Sequence, residues 1–475
     1  MSVTEQNTDN CAELFRQKTH RTCERAIKKE KNMNKARELL LQNFDQMVSV
    51  LQKTICFNTE KGEPAEGAPF GAEIKKCLDY VLQVSKDMGF ETVNCDGYAG
   101  HVDFVGTGKN VLGILGHLDV VPSKAEEWLY PPYGGEIHDG KLFGRGTMDD
   151  KGPMIACLFA TKALKDAGFE PASTIRLIFG CDEESGMECM RHYFTKMPYP
   201  NVAFSPDGDF PVINREKGIF QFALDCGKLP EGVTIHAGER ANVVPSLCTV
   251  TSEKQLQVVG NVTESFANGV YTYTSLGKSA HGSTPNEGVN AIHPLLQMLA
   301  NAYPENATLA FLANKCCDTS GTAWGINLWD CESGNLTCSL DIIRTSESGN
   351  VTITVDIRFP VSYTCEHMQS LIEQNSPSFC KLLGEHASEP LFVASDTYLV
   401  TTLMDVYNTA MNVNVSPIAI GGGTYSRCLP NCVAFGPLFP GEEQTIHMPN
   451  ECIDLESLKK MALLYLEAIY RLTKD

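Results

Sequence analysis

Val111-Leu112-Gly113-Ile114-Leu115-Gly116-His117-Leu118-Asp119 is a short apolar run that ends on an imidazole and a carboxylate. The pattern recurs twice. Ile175-Arg176-Leu177-Ile178-Phe179 leads into Asp182-Glu183-Glu184-Ser185, and Val202-Ala203-Phe204 leads into Pro206-Asp207. Apolar runs of this length between helical segments read as buried parallel strands. Ligands of open α/β sheets bind beyond the carboxyl ends of the strands. Three strand ends are therefore expected to deliver His, Asp and Glu to one crevice. A fourth stretch, Gly144-Arg145-Gly146-Thr147-Met148-Asp149-Asp150-Lys151-Gly152-Pro153, places Asp149 just before an expected helix over 151–167. Asp150 is its expected cap and Gly168 its stop. Hard and borderline ligands converging in this way point to a metal site, with more than one metal.

Each cluster has a plainer reading when taken alone. Asp182-Glu183-Glu184 reads as well as a solvated turn, and His117 as a satisfied buried histidine. Together they form a coherent set. His117 binds a metal through one ring nitrogen while Asp119, two residues on, holds the other. Asp149 offers two oxygens to two metals. Of the adjacent glutamates, one ligates while its neighbour acts as base. The triplet in Gly421-Gly422-Gly423-Thr424 is either a loop needing positive φ or a set of N–H groups aimed at an anion. His281, before an expected helix, reads alone as structural. Arg358, at a strand end, is an exposed charge or a carboxylate clamp.

Composition narrows the class. A chain of 475 residues is too long for one compact core, so two domains are expected. A formal net charge of −19 argues against nucleic-acid or anionic-membrane partners, which need basic patches. No apolar run approaches a membrane span, and the polar, acidic start lacks a secretory or transit pattern. The 19 cysteines are scattered and read as reduced core residues of a cytoplasmic protein.

Along the chain, residues 1–40 read as a partly flexible, charged extension merging into a helix near Ala36 to Thr54. Residues 41–216 and 393–475 carry βαβ-style segments. Residues 217–392 carry strands without that alternation, plus one helix that Thr284-Pro285-Asn286-Glu287 is expected to cap. The fold class expected is α/β, a catalytic domain of mixed sheet with helices on both faces, interrupted by an inserted α+β lid domain.

The motifs Gly-His-Leu-Asp-Val-Val-Pro (116–122), Gly-Arg-Gly-Thr-Met-Asp-Asp-Lys-Gly-Pro (144–153), Asp-Glu-Glu-Ser-Gly (182–186), Ser-Pro-Asp-Gly-Asp-Phe-Pro (205–211), Gly-Gly-Gly-Thr-Tyr-Ser-Arg (421–427) and Thr-Ile-His-Met-Pro-Asn-Glu (445–451) give the chain a specific resemblance. From about residue 40 onward it resembles the co-catalytic metallopeptidases of the carboxypeptidase G, aminoacylase, succinyl-diaminopimelate desuccinylase and carnosinase family, and most of all their PepV-type dipeptidases. The resemblance implies a zinc-peptidase-like catalytic domain and two zinc ions per subunit, with Mn or Co as substitutes. It implies one zinc on His117 and Asp207, the other on Glu184 and His447, and Asp149 bridging them. It implies Asp119 orienting His117, Glu183 as general acid and base, and His281 stabilising the oxyanion. Asn242, Arg358, Gly422, Gly423 and Thr424 match positions that grip the substrate carboxylate. The expected activity is hydrolysis of short peptides, mainly dipeptides. An N-acyl amino acid amidohydrolase on the same centre is the alternative, and an inactive scaffold a remote one. A monomer with His281 acting in cis is favoured over a homodimer.

Overall fold

The computed structural model describes residues 30–474. Most of the extension expected over 1–40 therefore lies outside the described residues. Residues 30–42 are helical, and a turn at Asn43 separates them from the helix Phe44–Ile55, so the single helix expected near 36–54 is two.

The chain forms two units. One runs to Asn214 and takes in Val393–Pro417 and the residues from Thr424 on; the other comprises Arg215–Phe392 with Ile418–Gly423. In the first unit the strands lie side by side in the order Glu91–Cys95, Ala99–Phe104, Thr174–Gly180, Val111–His117, Val202–Ser205 and Cys432–Ala434. Val111–His117 is parallel to both of its neighbours, and Cys432–Ala434 is parallel to Val202–Ser205. The three apolar runs are thus adjacent strands with their carboxyl ends on one edge. The outer pair is antiparallel, which makes the sheet mixed.

The helix Lys151–Asp166 is buried on nearly every side, because the sheet, Phe44–Ile55 and Leu455–Thr473 all pack on it. Burial of side chains such as Leu158 and Phe159 stabilises the unit by about 1.5–3 kcal/mol each. Asp150 stands at the N-cap position but does not cap with its side chain. Its Oδ2 instead accepts from the His117 N–H at 3.2 Å, tying the helix start to the strand end. Gly116 permits this: a Cβ there would collide with Asp150 Oδ2 and Met154.

The second unit is an eight-stranded antiparallel sheet in the order Thr263–Ala267, Val270–Leu276, Leu247–Ser252, Val233–Ala237, Thr337–Thr345, Asn350–Phe359, Gly218–Lys228 and Lys381–Ser388. Phe220, Phe222, Leu224 and Cys226 alternate inward along Gly218–Lys228, the period of a half-buried strand. The helices Ile292–Ala302, Ala307–Lys315 and Cys365–Asn375 cover that face with Leu295, Leu299, Leu312 and Ile372. The expected hairpin closes where Ser346 N–H donates to Asn350 O at 2.8 Å. Thr284 does not cap a long helix. Pro285–Glu287 is a single 3-10 turn, and the helix begins at Ile292, whose N–H donates to Asn290 Oδ1. No helix among the described residues is long and apolar enough to cross a membrane.

Candidate metal centre

His117 is the last residue of its strand and fully buried. The ladder continues one step further, with Leu118 N–H donating to Gly180 O at 2.9 Å. That step sets Asp119 against the turn that begins at Asp182. His117 Nδ1 lies 2.9 Å from the Asp119 carbonyl oxygen and 3.6 Å from its carboxylate. Asp119 therefore holds the imidazole mainly by its main chain. Its carboxylate does other work, accepting the N–H of Glu183 at 3.1 Å and of Glu184 at 3.0 Å.

His117 Nε2 lies 2.9 Å from Asp149 Oδ1. The other Asp149 oxygen lies 2.8 Å from His447 Nε2, which is itself 3.2 Å from Glu184 Oε1. Donor atoms of His117, Asp149 and Glu184 all fall within 4.8 Å of one another. His447 sits at φ +62 in its loop, with a half-exposed ring. Asp207 Oδ2 accepts the Tyr425 N–H at 3.2 Å, and the Tyr425 ring stands edge-on to His117. Gly180 leaves room for the Tyr425 hydroxyl, which a Cβ would strike.

The charges are unbalanced. Four carboxylates, of Asp149, Glu183, Glu184 and Asp207, face two imidazoles. Burial and the neighbouring Asp149 push Asp207 up to about 7. Burial, then the Asp207 charge, holds Glu183 well above the usual carboxylate range, and burial with Asp149 raises Glu184. Burial opposes charge on His447, but Asp149 and Glu184 prevail and push it up to about 11. Like-charged carboxylates gathered this closely want a cation. Mixed nitrogen and oxygen donors suit zinc and its first-row neighbours.

Residues 113–471 match peptidase family M20/M25/M40. The chain belongs to that family. It is 34% identical over 458 residues to "Putative dipeptidase YtjP" of Bacillus subtilis (strain 168), covering 91% of this chain and 96% of the relative. A Staphylococcus aureus (strain USA300) protein of the same description is 32% identical over 470 residues, covering 92% and 99%. Among solved structures, yeast (Saccharomyces cerevisiae) Dug1p, described as a di-peptidase, aligns with a TM-score of 0.57 at 14% identity over 93% of this chain and 99% of that one. Human carnosine dipeptidase 1 aligns with a TM-score of 0.54 at 16% identity over 92% and 98%. These likenesses carry the fold, and the family makes the chain a metallopeptidase.

Three residues inside the quoted motifs of this M20/M25/M40 peptidase have roles that the motifs alone did not give them. Buried Glu451 accepts the N–H groups of Gly146 at 3.1 Å, Met148 at 2.9 Å and Asp149 at 3.3 Å. It also meets Arg145 Nη1 at 2.8 Å. In sequence it closes the motif 445–451, four places after His447. Asp182 bonds Lys61 Nζ at 2.7 Å and the Glu188 N–H at 3.0 Å, fixing the turn that carries the two glutamates. Asp150, the third, is described above.

Asn242, His281, Arg358, Gly422 and Gly423 belong to the second unit. Gly282 N–H donates to Asn242 O at 2.7 Å and Val244 N–H to Ala280 O at 3.0 Å, so the main chain sets Asn242 beside His281. His281 is exposed, and its Nδ1 accepts the Ser283 N–H at 3.1 Å. In the neutral ring the proton then sits on Nε2. Arg358 is buried, with Nε 3.0 Å from both oxygens of Asp356 and Nη1 2.9 Å from Gly421 O. It is neither an exposed charge nor an open clamp, since it holds the glycine turn. Thr424, in the first unit, accepts the Ser426 N–H at 3.2 Å.

Proposed function

We propose that this protein is a dipeptidase that uses two zinc ions, held by His117, Asp207, Glu184 and His447 and bridged by Asp149. One observation carries the reading. The two oxygens of Asp149 face different imidazoles, His117 at 2.9 Å and His447 at 2.8 Å. A carboxylate placed between two ligand sets is what a bridge requires.

Bound there, the zinc ions supply Lewis acidity, polarising a carbonyl and acidifying water. Mn or Co can take the same donors. The remaining work belongs to the chain. Glu183 accepts the proton of the attacking water and returns it to the leaving amine. Its amide, pinned by Asp119, keeps the carboxyl aimed at that task. His281 donates from Nε2 to the developing oxyanion. Asn242 and the turn at Gly422, Gly423 and Thr424 receive the substrate carboxylate, with Arg358 bracing the turn. On the strength of its large inserted unit, Arg215–Phe392 with Ile418–Gly423, we take the chain to act as a monomer with its own His281. Mixing His281→Ala with Glu183→Gln chains tests this, since regained activity would mean that subunits trade residues. The described cysteines are free thiols, which supports the cytoplasm as its compartment.

Hydrolysis of Ala-Ala, Leu-Leu, β-Ala-His, a tripeptide, and N-acetyl and N-succinyl amino acids, by chelated and then by zinc- or manganese-restored enzyme, tests the substrate. Metal-dependent cleavage of the free dipeptides alone is expected. Cleavage of the N-acyl compounds instead would make the protein a deacylase on the same centre.

A further inference from the structure

Leu247–Ser252, Val233–Ala237 and Thr337–Thr345 are neighbouring strands of the second unit. Their register sets Thr249 opposite His236, and His236 opposite Arg344. Directly opposed side chains stand on the same face of a sheet. Val250, Ile235 and Ile343, one step along each strand, are fully buried in the core beneath the helices. The row Thr249, His236, Arg344 therefore lies on the other face. A cavity of about 730 Å³ opens over it, lined for the rest by Ser279 and by residues from 237–247.

Arg344 is the unusual member of the row. Its Nη1 donates to Ala237 O and, at 2.9 Å, to Ile343 O, while its Nη2 donates to Gly238 O. A guanidinium has five N–H donors. Two are left, one on Nε and one on Nη2, and such a pair grips a carboxylate or phosphate through two parallel bonds. Arg176 uses the same two nitrogens on Asp103, at 2.8 and 2.7 Å. Carbonyl oxygens satisfy donors without cancelling the charge. Neither Arg344 nor Arg240, which lines the same cavity, has a carboxylate partner among the described residues. Glu239 lines the cavity too but pairs with neither. Burial and then the Arg344 charge lower His236 from its ordinary range, as an unbalanced cation beside it would.

We infer that this cavity is a binding site for a small anion, headed by a carboxylate or a phosphate, that takes the free fork of Arg344 and the guanidinium of Arg240. The volume lies within the roughly 300–1,000 Å³ of small-molecule sites, so the anion can carry an organic body. Val243 and Leu247 offer that body an apolar wall. The site is also joined by main chain to two residues named above. Asn242 lies within the lining segment, and Val243 forms an antiparallel bridge with His281. An occupant would steady the segment that carries both. The binding itself does not depend on which substrate the enzyme cleaves.

The test maps arginine modification by p-hydroxyphenylglyoxal on metal-loaded enzyme, peptide by peptide, with and without a millimolar probe. Inorganic phosphate and L-leucine are the two probes. Arg344 and Arg240 should be shielded by at least one of them, while exposed Arg37 of the first unit reacts unchanged. Shielding by phosphate alone assigns a phosphate ligand, by leucine alone an amino-acid carboxylate, and by both a site that reads only the anionic head. Arg344→Lys keeps the charge and loses the fork. Calorimetry should find the shielding probe bound to it about tenfold more weakly, the loss of one charge-assisted hydrogen bond. Shielding by neither probe overturns the inference. So does binding that is unchanged in Arg344→Lys and in Arg240→Gln, since that binding would belong to the metal centre. Arg240 is exposed, so its variant and the wild-type map decide the matter even if Arg344→Lys does not fold.

Discussion

Glu451 and Arg145 meet 2.8 Å apart with both side chains buried. The same carboxylate takes three amides at and before Asp149, so one residue from late in the chain sets the height of the central carboxylate. Glu451→Ala would leave the buried Arg145 guanidinium without its counter-ion, holding only Ser123 Oγ, and three N–H groups without this acceptor. Breaking a buried pair this way costs about 3–5 kcal/mol. Melting temperature and bound metal per chain should fall together, with Glu451→Gln intermediate. A Glu451→Ala protein that melts as wild type with full metal content would remove the anchor from the account.

Glu183 and Glu184 are adjacent but separable. Glu183→Gln should lower kcat by about 10²–10⁴ while leaving metal content intact, the loss of a proton carrier. His447→Ala and Glu184→Gln should instead lower metal content. Elemental analysis beside steady-state kinetics distinguishes them. Loss of metal from Glu183→Gln would make Glu183 a ligand.

Chelation should make stability pH-dependent in a definite direction. Asp207 is raised from the ordinary 3.8 to about 7, so the unfolded chain releases this proton first. Its contribution is fully present below about pH 4 and is lost as pH rises to 7. Glu183 and Glu184 shift the same way. The gap in melting temperature between metal-loaded and chelated protein should therefore widen from pH 5 to pH 8. A gap that stays constant would mean the carboxylates do not repel one another as argued.

A histidine of the second unit acts with the opposite sign. Burial pushes His293 from 6.5 down to about 4. The unfolded chain takes up its proton first as pH falls, so stability drops between about pH 6.5 and pH 4. His293→Gln should flatten part of that acid limb in urea titrations of the metal-loaded enzyme. An unchanged limb would place the acid sensitivity elsewhere.

The strands carrying His117, Glu184 and Asp207 were legible because a buried parallel strand has to be a continuous apolar run, and the acids stood where each run stopped. Asp149 and His447 were legible through motif resemblance. The role of Glu451 was not, since a glutamate that closes the motif 445–451 carries no mark of which amides it will meet some 300 residues upstream. Asp150 misled because a residue before a helix has the same identity whether it caps that helix or bonds a strand. Thr284 misled in the same manner: its spacing fits a capping box, but the chain completes only a 3-10 turn before Asn290 starts the helix. The Arg358 pairing was hidden because Asp356 is two residues away along a strand, on the same face, where simple spacing does not say which charges will be buried.

The first unit is interrupted after Asn214 and resumes only at Val393. Tyr425, His447 and Glu451 come from the resumed part, and they steady Asp207, complete the imidazole pair and fasten Asp149. On a translating ribosome, then, the early segment waits with half a cradle while the whole inserted unit is made. Metal capture becomes a closing event of biosynthesis, and a nascent chain has no finished centre with which to cut the peptides around it.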